Sequence, residues 1–171
     1  MKKALVAAVG LLGLVGCTAT PVPTPPQPTT APPSASTTAA EAAPGGLDCS
    51  KAPEEVVGAA LQLNLVHPKQ TVNQNVVVCQ YEGGGVDTMV RFQTESDADA
   101  FARGKKGFTD SGQRVTDLGG FFDEAYTSTL GAGEVVQNTL VARKGDIEIL
   151  VTSAANFEQE KKLVTELFGR L

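Results

Sequence analysis

The chain has 171 residues, with 14 Lys and Arg against 19 Asp and Glu, which gives a formal net charge of −5. An acidic protein is a poor partner for nucleic acid, because proteins that bind the phosphate backbone are basic. One histidine and three cysteines are also too few for most zinc sites, which draw several ligands from these two residue types.

The first 17 residues have the layout of an export signal that ends in a cysteine. Met1–Lys3 is positively charged, and the apolar run Ala4–Leu14 is shorter than the roughly 20 residues of a membrane-spanning helix. Leu14-Val15-Gly16-Cys17 resembles the lipobox of bacterial lipoproteins. The resemblance implies that residues 1–16 are a signal peptide and that Cys17 becomes a lipidated N-terminus. The alternative is an ordinary signal peptide with a chance cysteine.

Cleavage before Cys17 would place the chain on the extracytoplasmic face of the cell membrane. Two acyl chains give stable anchoring, whereas a single chain is marginal. Loss of Lys2 and Lys3 leaves 12 basic against 19 acidic residues, a formal −7. Because anionic lipid attracts basic segments, the lipid anchor is the only membrane contact that the sequence predicts.

Residues 17–46 are predicted to be a stalk. Of the 29 residues from Thr18 to Gly46, 24 are Pro, Thr, Ala or Ser, and Glu41 is the only charged one. Such a composition cannot bury a core, so the segment is expected to stay disordered. Its prolines favour extended conformations that rise about 3.1 Å per residue, a reach on the order of 90 Å. A plain spacer and a glycosylated stalk are both compatible with this composition.

Residues 47–171 have the size of one folded domain with its own core. Cys49 and Cys79 are an even pair in an oxidising compartment, which predicts a disulfide between the first helix and the first strand. Two free thiols or a reactive pair are the alternatives, although the cysteines lack the C-x-x-C spacing of redox sites.

Apolar periodicity and turn residues predict three helices and six strands. A first helix follows Pro53 and runs to about Leu63, and a second opens at Ser96 as N-cap with Asp99 in a capping box. Asn156 caps a third, with Gln159 three residues on and an i,i+4 pair of Glu158 and Lys162. Alternation predicts strands over 76–82, 86–92, 113–118, 122–130, 134–144 and 146–153.

The predicted element order is αββαββββα. Short glycine turns such as Gly83–Gly85 make neighbouring strands antiparallel hairpins. The amphipathic helices must then cover the apolar side of the sheet. The sequence therefore predicts an α+β domain, with an antiparallel sheet of five to six strands, about three helices and one disulfide.

Several short motifs carry a family resemblance. They are the lipobox, the Pro/Thr stalk, Asp48-Cys49-Ser50, Cys79-Gln80-Tyr81, and the segment from Asp117 to Tyr126 that contains Phe121-Phe122-Asp123-Glu124-Ala125. Together they resemble actinobacterial cell-envelope lipoproteins of unknown function, whose α+β domain keeps two disulfide-bonded cysteines. That family often has Trp where this chain has Tyr81, and it lacks the phenylalanines inserted here before Asp123. The resemblance implies an exported domain without established chemistry.

The sequence favours neither an enzyme nor a metal protein, and no cofactor is predicted. His67, the only histidine, precedes Pro68 in a predicted surface loop, and no Gly-x-Ser-x-Gly elbow or phosphate-binding loop accompanies it. Four acidic residues could offer oxygens to Ca²⁺, namely Asp117, Asp123, Glu124 and Glu134. Their spacing matches no calcium loop, so a solvated acidic turn is the preferred interpretation.

Two functional hypotheses remain. The first is a non-catalytic module that binds a wall component, a secreted protein or a membrane partner through the face of its sheet or through the loop from Gly119 to Tyr126. Its candidate binding loop contains Gly119, Phe121, Phe122, Asp123, Glu124 and Tyr126, because two adjacent phenylalanines on a strand point to opposite faces and one would be exposed. The second is a carrier of a small apolar ligand or lipid in a cavity lined by Val90, Phe92, Leu140, Ile149 and Val164. A hydrolase is a third, weaker hypothesis.

Overall fold

The computed structural model describes residues 45–132 and 135–171. The lipidation site Cys17, almost all of the predicted stalk and Glu134 lie outside these residues. Within them, the longest helix has 13 residues, and none is long and apolar enough to cross a membrane.

The described part of the chain is an α+β domain with seven strands and three α-helices. The strands are β1 Lys69–Asn73, β2 Val76–Tyr81, β3 Thr88–Gln93, β4 Arg114–Asp117, β5 Glu124–Ala132, β6 Val135–Lys144 and β7 Ile147–Ser153. The helices are α1 Glu54–Leu61, α2 Ala98–Asp110 and α3 Phe157–Phe168, and a 3₁₀ helix spans Cys49–Lys51. All seven strands form one antiparallel sheet in the order β1-β2-β3-β7-β6-β5-β4.

The helices cover both faces of the sheet. On the two-helix face, Leu61 of α1 and Leu163 of α3 pack with Phe92 and Ile149 in the main core. On the one-helix face, Phe101 of α2 packs on Tyr126, Val141 and Leu150. The central strand β7 is buried on both faces because of this arrangement, which explains its nearly continuous apolar sequence.

The predicted strand count of five to six was wrong, because β1 has the composition of a loop. Its sequence, Lys-Gln-Thr-Val-Asn, is polar, and no residue of the strand is fully buried. Edge strands need only one hydrogen-bonded neighbour and often carry polar or charged residues. β1 pairs with β2 from Lys69 opposite Gln80 to Asn73 opposite Val76.

The predicted N-cap of α2 was also wrong. Asp97 caps the helix, with its carboxylate accepting the N–H of Ala100 at 2.7 Å. Ser96 is fully buried, and its hydroxyl donates to Glu148 at 3.0 Å. Serine and aspartate are comparable N-caps, so a tertiary contact from β7 decides between them.

The capping box of α3 is confirmed. The Asn156 side chain accepts the N–H of Gln159, whose side chain accepts the N–H of Asn156, both at 3.0 Å. The neighbouring ion pair differs from the prediction, since Glu158 binds Lys161 at 2.8 Å instead of Lys162. Positions three and four apart both adjoin on a helix surface, so spacing alone does not choose between the two lysines.

The predicted disulfide is confirmed between Cys49 and Cys79. It ties the 3₁₀ helix to β2, and Cys79 is fully buried. Close by, the buried Tyr81 hydroxyl donates to the carbonyl of Ala52. The two contacts hold the start of the domain against the two-helix face.

Candidate functional site

The two ends of the sheet lie at different distances from Gly45, the first residue that the structure describes. A side-chain carbon built on Gly45 would lie 3.9 Å from the methyl group of Thr94, just after β3. We call this the Gly45 end, and it includes Gln93, Glu148, Arg143 and Glu124, which lie in line across four strands. Thr88, the first residue of β3, lies six positions before Thr94, so the far end is about 20 Å away.

The candidate binding loop lies at the Gly45 end. Phe121 and Phe122 are both half-buried, with ring centroids 4.8 Å apart, and Phe122 packs on Phe168 at 4.4 Å. They precede β5, and Phe122 has a φ of +57°, so the alternation expected of a strand does not apply. Neither ring is the exposed phenylalanine that the sequence suggested. Binding of a partner by this segment stays a prediction.

The acidic residues of this loop share one cation, and Asp117, which precedes the loop, pairs with another. Arg143 contacts Glu124 at 2.7 Å and Asp123 at 3.9 Å, and the N–H of Gly145 donates to Asp123 at 2.7 Å. Asp117 instead pairs with Lys105 of α2. Among the described residues, no group of three or more His, Cys, Asp or Glu side chains is arranged to hold a metal ion.

The other residues that the sequence analysis singled out lie either in an exposed loop or in the packed core. His67 is exposed in its loop and contacts Glu54 at 2.6 Å. The five side chains proposed to line a carrier cavity are fully buried and belong to the packed main core, namely Val90, Phe92, Leu140, Ile149 and Val164.

An open groove of about 370 Å³ lies on the one-helix face near the far end. Its floor is a row of side chains that crosses four adjacent strands, Gln80, Met89, Thr152 and Thr139. Phe108 and Gln113, near the end of α2, form one wall. The far-end groove therefore exists because α2 covers the next row of the sheet and leaves this row open.

The floor of the far-end groove is polar and already ordered. The hydroxyls of Thr139 and Thr152 are 3.0 Å apart, and both residues are buried. Gln113 accepts the Ser128 hydroxyl at 2.8 Å, and Gln137 donates to the backbone carbonyl of Asp87 at 3.3 Å. These bonds fix the glutamines without using all of their donors and acceptors.

The mouth of the groove is apolar on one side and acidic on the other. Leu130 is 52% exposed, one of three large apolar side chains that the described residues present to solvent. Asp87 is exposed and forms no ion pair with any described residue. Two further clefts, of about 590 and 420 Å³, adjoin the groove and share Val86 and Asp87.

A partly buried ion pair supports the inner wall. Arg91, which lines the groove, binds Glu148, and Glu148 also accepts the hydroxyl of Ser96. Glu148 is only 4% exposed. Buried charges of this kind need a partner, so the pair fixes Arg91 in place and neutralises its charge.

The hairpin that carries Asp87 depends on Gly83. A Cβ at this position would lie 2.2 Å from the carbonyl oxygen of Asn64, and the φ of +100° already disfavours other residues. Gly83 also forms a β-bridge with Leu65. The β2–β3 hairpin is therefore held against the loop that follows α1.

We expect Gly83→Ala to lower the free energy of unfolding by about 1 to 3 kcal/mol, because it adds steric overlap to an unfavourable φ. Urea denaturation followed by circular dichroism measures this. Gly85→Ala is the matched control, since its φ of +84° is similar but no atom lies within 4 Å of the position that its new methyl group would take. Equal losses for the two variants would contradict the role of the Asn64 contact.

The sequence did not indicate the far-end groove. Its residues come from β2, β3, β5, β6 and β7 and from the end of α2, and they meet only because β3 pairs with β7. The one local signal was Leu130, an apolar residue beside the glycine turn at Gly131. No protein-family model, no curated protein and no solved structure matches this chain, so the resemblance to actinobacterial lipoproteins stays a prediction.

Proposed function

We propose that this chain is a membrane-anchored extracytoplasmic lipoprotein whose domain is a non-catalytic binding module of the cell envelope. The observation that carries the binding role is the far-end groove, an open concavity with an ordered polar floor and an exposed apolar rim. Concave surfaces with a few placed polar groups are the usual form of binding sites.

The disulfide supports the extracytoplasmic location. Disulfides persist in oxidising compartments and are rare where thiols are kept reduced. The Cys49–Cys79 bond closes a loop across 30 positions between a 3₁₀ helix and β2, the neighbour of the edge strand β1. It is therefore structural in character, as expected of an exported domain.

The position of the groove suits a domain presented on a stalk. A tether from Cys17 would enter the domain at Gly45, beside Thr94. The groove floor at Met89 lies five positions from Thr94 along β3, a distance of about 17 Å. A tether that enters at Gly45 would therefore not cover the groove.

Site-specific photocrosslinking in intact cells tests the binding role. We expect a crosslinking amino acid at Gln137, on the groove, to give discrete adducts. The same group at Glu158, exposed on α3 across the sheet, is the control and is expected to give few. Equal adduct patterns, or none at Gln137, would contradict a binding role for the groove.

The anchor has its own test. We expect Cys17→Ser to abolish acylation and to move the protein from the membrane fraction to the soluble or culture fraction, because the lipid is the only predicted membrane contact. Intact mass analysis checks the acyl group directly. Thr18→Ser is the control variant and should leave acylation unchanged. Retention of the Cys17→Ser protein on membranes would contradict the proposed anchor.

A further inference from the structure

We propose that the far-end groove binds a short extended segment of another polypeptide, with an aliphatic side chain against Leu130 and a basic side chain beside Asp87. This inference rests on the proposed binding function and names the chemical class of the partner.

The dimensions of the floor fit an extended peptide. Gln80, Met89, Thr152 and Thr139 lie on four neighbouring strands, and strands are spaced about 4.8 Å apart, so the row is roughly 15 Å long. An extended chain rises about 3.3 Å per residue. The floor therefore accommodates four to five residues.

The polar groups of the floor match a peptide backbone. A backbone offers N–H donors and carbonyl acceptors in alternation, and glutamine side chains offer both kinds of group. Gln80 and Gln137 lie toward opposite ends of the row, with the paired hydroxyls of Thr139 and Thr152 between strands β6 and β7.

Leu130 is the reason why we expect an aliphatic side chain on the partner. More than half of this side chain is exposed although it faces a concave surface, and Met89 and Phe108 lie in the same groove. Covering these groups removes apolar area from water, which favours an aliphatic side chain on the partner. Because side chains two apart in an extended segment share a face, a second residue can then reach Asp87.

The electrostatic requirement comes from the mouth of the groove. Asp87 and the nearby Glu82 are exposed, and neither forms an ion pair with a described residue. Lys69 borders the adjoining cleft, and Arg91 is held by Glu148. The acidic excess favours a basic partner. The chain's own residues 18–44 are an unsuitable occupant, because Glu41 is their only charge.

A sugar polymer fits the groove less well than a peptide. Both tyrosines are almost fully buried, at 2% and 1% exposure, and the sequence contains no tryptophan. Phe108 is the one aromatic residue that lines the groove. The flat ring platforms on which sugar rings stack are therefore scarce, whereas amide and hydroxyl groups are plentiful.

Selection from a random heptapeptide display library, on the full mature chain in mild detergent, tests the proposal. We expect enriched peptides to carry Leu, Ile or Val two positions from Lys or Arg. Affinity for a synthetic enriched peptide should fall at least tenfold in Asp87→Asn and in Leu130→Ser. The matched controls, Asp146→Asn at the Gly45 end and Leu171→Ser at the exposed C-terminus, should change it less than twofold.

Three results would overturn the proposal: no enrichment, an acidic consensus, or equal binding by the groove variants and the controls. Raised salt should also weaken binding of the wild type but not of Asp87→Asn. If Gln137 crosslinks an envelope glycan in cells while no peptide is enriched, the peptide inference fails and the binding function stands. If peptides are enriched but Gln137 gives no adducts in cells, the groove binds peptides in vitro and the proposed binding role in the cell envelope fails.

Discussion

Removal of the disulfide by the double substitution Cys49→Ala and Cys79→Ala is expected to lower the free energy of unfolding by roughly 3 to 4 kcal/mol. The bond links positions 30 apart, and a cross-link of this span removes that much conformational entropy from the unfolded chain in the entropy model. Such a loss is a large fraction of the total stability of a small domain. The variant should unfold at a clearly lower urea concentration.

The native state adds a second reason for a large effect. The disulfide joins the 3₁₀ helix to β2, and the first described residues have few other bonds to the sheet, among them Tyr81 to Ala52 and the N–H of Cys49 to Gln70 at 2.8 Å. Without the bond, residues 45–52 should exchange amide hydrogens faster than the strands. Alanine is preferred to serine because Cys79 is fully buried.

Dithiothreitol provides the control for this result. It should shift the urea midpoint of the wild type toward that of the double variant and leave the variant unchanged. A wild-type midpoint that does not respond to complete reduction, verified by mass analysis of the alkylated thiols, would contradict a stabilising disulfide.

Local signals predicted the parts of the fold that local chemistry determines. The capping box of Asn156 and Gln159 satisfies backbone groups within one helical turn, so its sequence pattern is sufficient. Glycine turns likewise predicted the hairpins between β5, β6 and β7. The pairing of Cys49 with Cys79 followed from the number of cysteines and the predicted oxidising compartment.

The errors arose where distant contacts decide the structure. Ser96 leaves the cap of α2 because Glu148, 52 positions away, accepts its hydroxyl. Phe121 and Phe122 share one apolar cluster because a positive φ turns the chain there and Phe168 supplies a surface. Neither contact has a signature in the local sequence.

The candidate site was missed for the same reason. Pairing of β3 with β7 places Met89 opposite Thr152, although 63 positions of sequence separate them. The groove floor is a product of this register, and only the end of α2 determines how much of it stays open. A sequence read element by element predicts the strands but not the surface that they form together.

Glu160 is expected to make the domain less stable as the pH rises from about 4.5 to about 8. It lies on α3 and is fully buried, and its Oε1 accepts the hydroxyl of Ser153 at 2.8 Å. Its other oxygen, like the buried hydroxyl of Thr88, has no hydrogen-bond partner among the described residues. Burial raises the pKa of the Glu160 carboxyl from the ordinary 4.5 to about 8, against the smaller opposing effect of the Ser153 bond.

The direction of this pH effect follows from whether the folded or the unfolded chain keeps the Glu160 proton. Below pH 4.5 Glu160 is protonated in both the folded and the unfolded chain, so its contribution to the free energy of unfolding is fully present. Between pH 4.5 and 8 the unfolded chain releases the proton and the folded chain keeps it, so the free energy of unfolding falls by up to about 1.4 kcal/mol per pH unit. Near pH 8 the folded protein begins to release it as well, and the contribution is lost.

Glu160→Gln isolates this effect, because glutamine has a similar shape and no charge. We expect the variant and the wild type to have similar stability at pH 4.5, and the variant to be more stable by several kcal/mol at pH 8. Urea denaturation at half-unit pH intervals measures the difference in free energy of unfolding between the variant and the wild type. The titration of the other carboxylates is common to both proteins and cancels in this difference. Glu158→Gln, two positions away and exposed, should run parallel to the wild type.

Parallel curves for Glu160→Gln and the wild type would show that Glu160 is ionised in the folded protein. That result would require a buried cation or water beside Oε2, because an ionised carboxylate is not stable in an apolar core without a partner. A stability advantage of Glu160→Gln that grows with pH would show that Glu160 is neutral in the folded protein, which explains how α3 can bury an acidic residue against the sheet. A neutral carboxylic acid can donate its own proton, so at moderate pH the group needs only a hydrogen-bond acceptor and no buried cation.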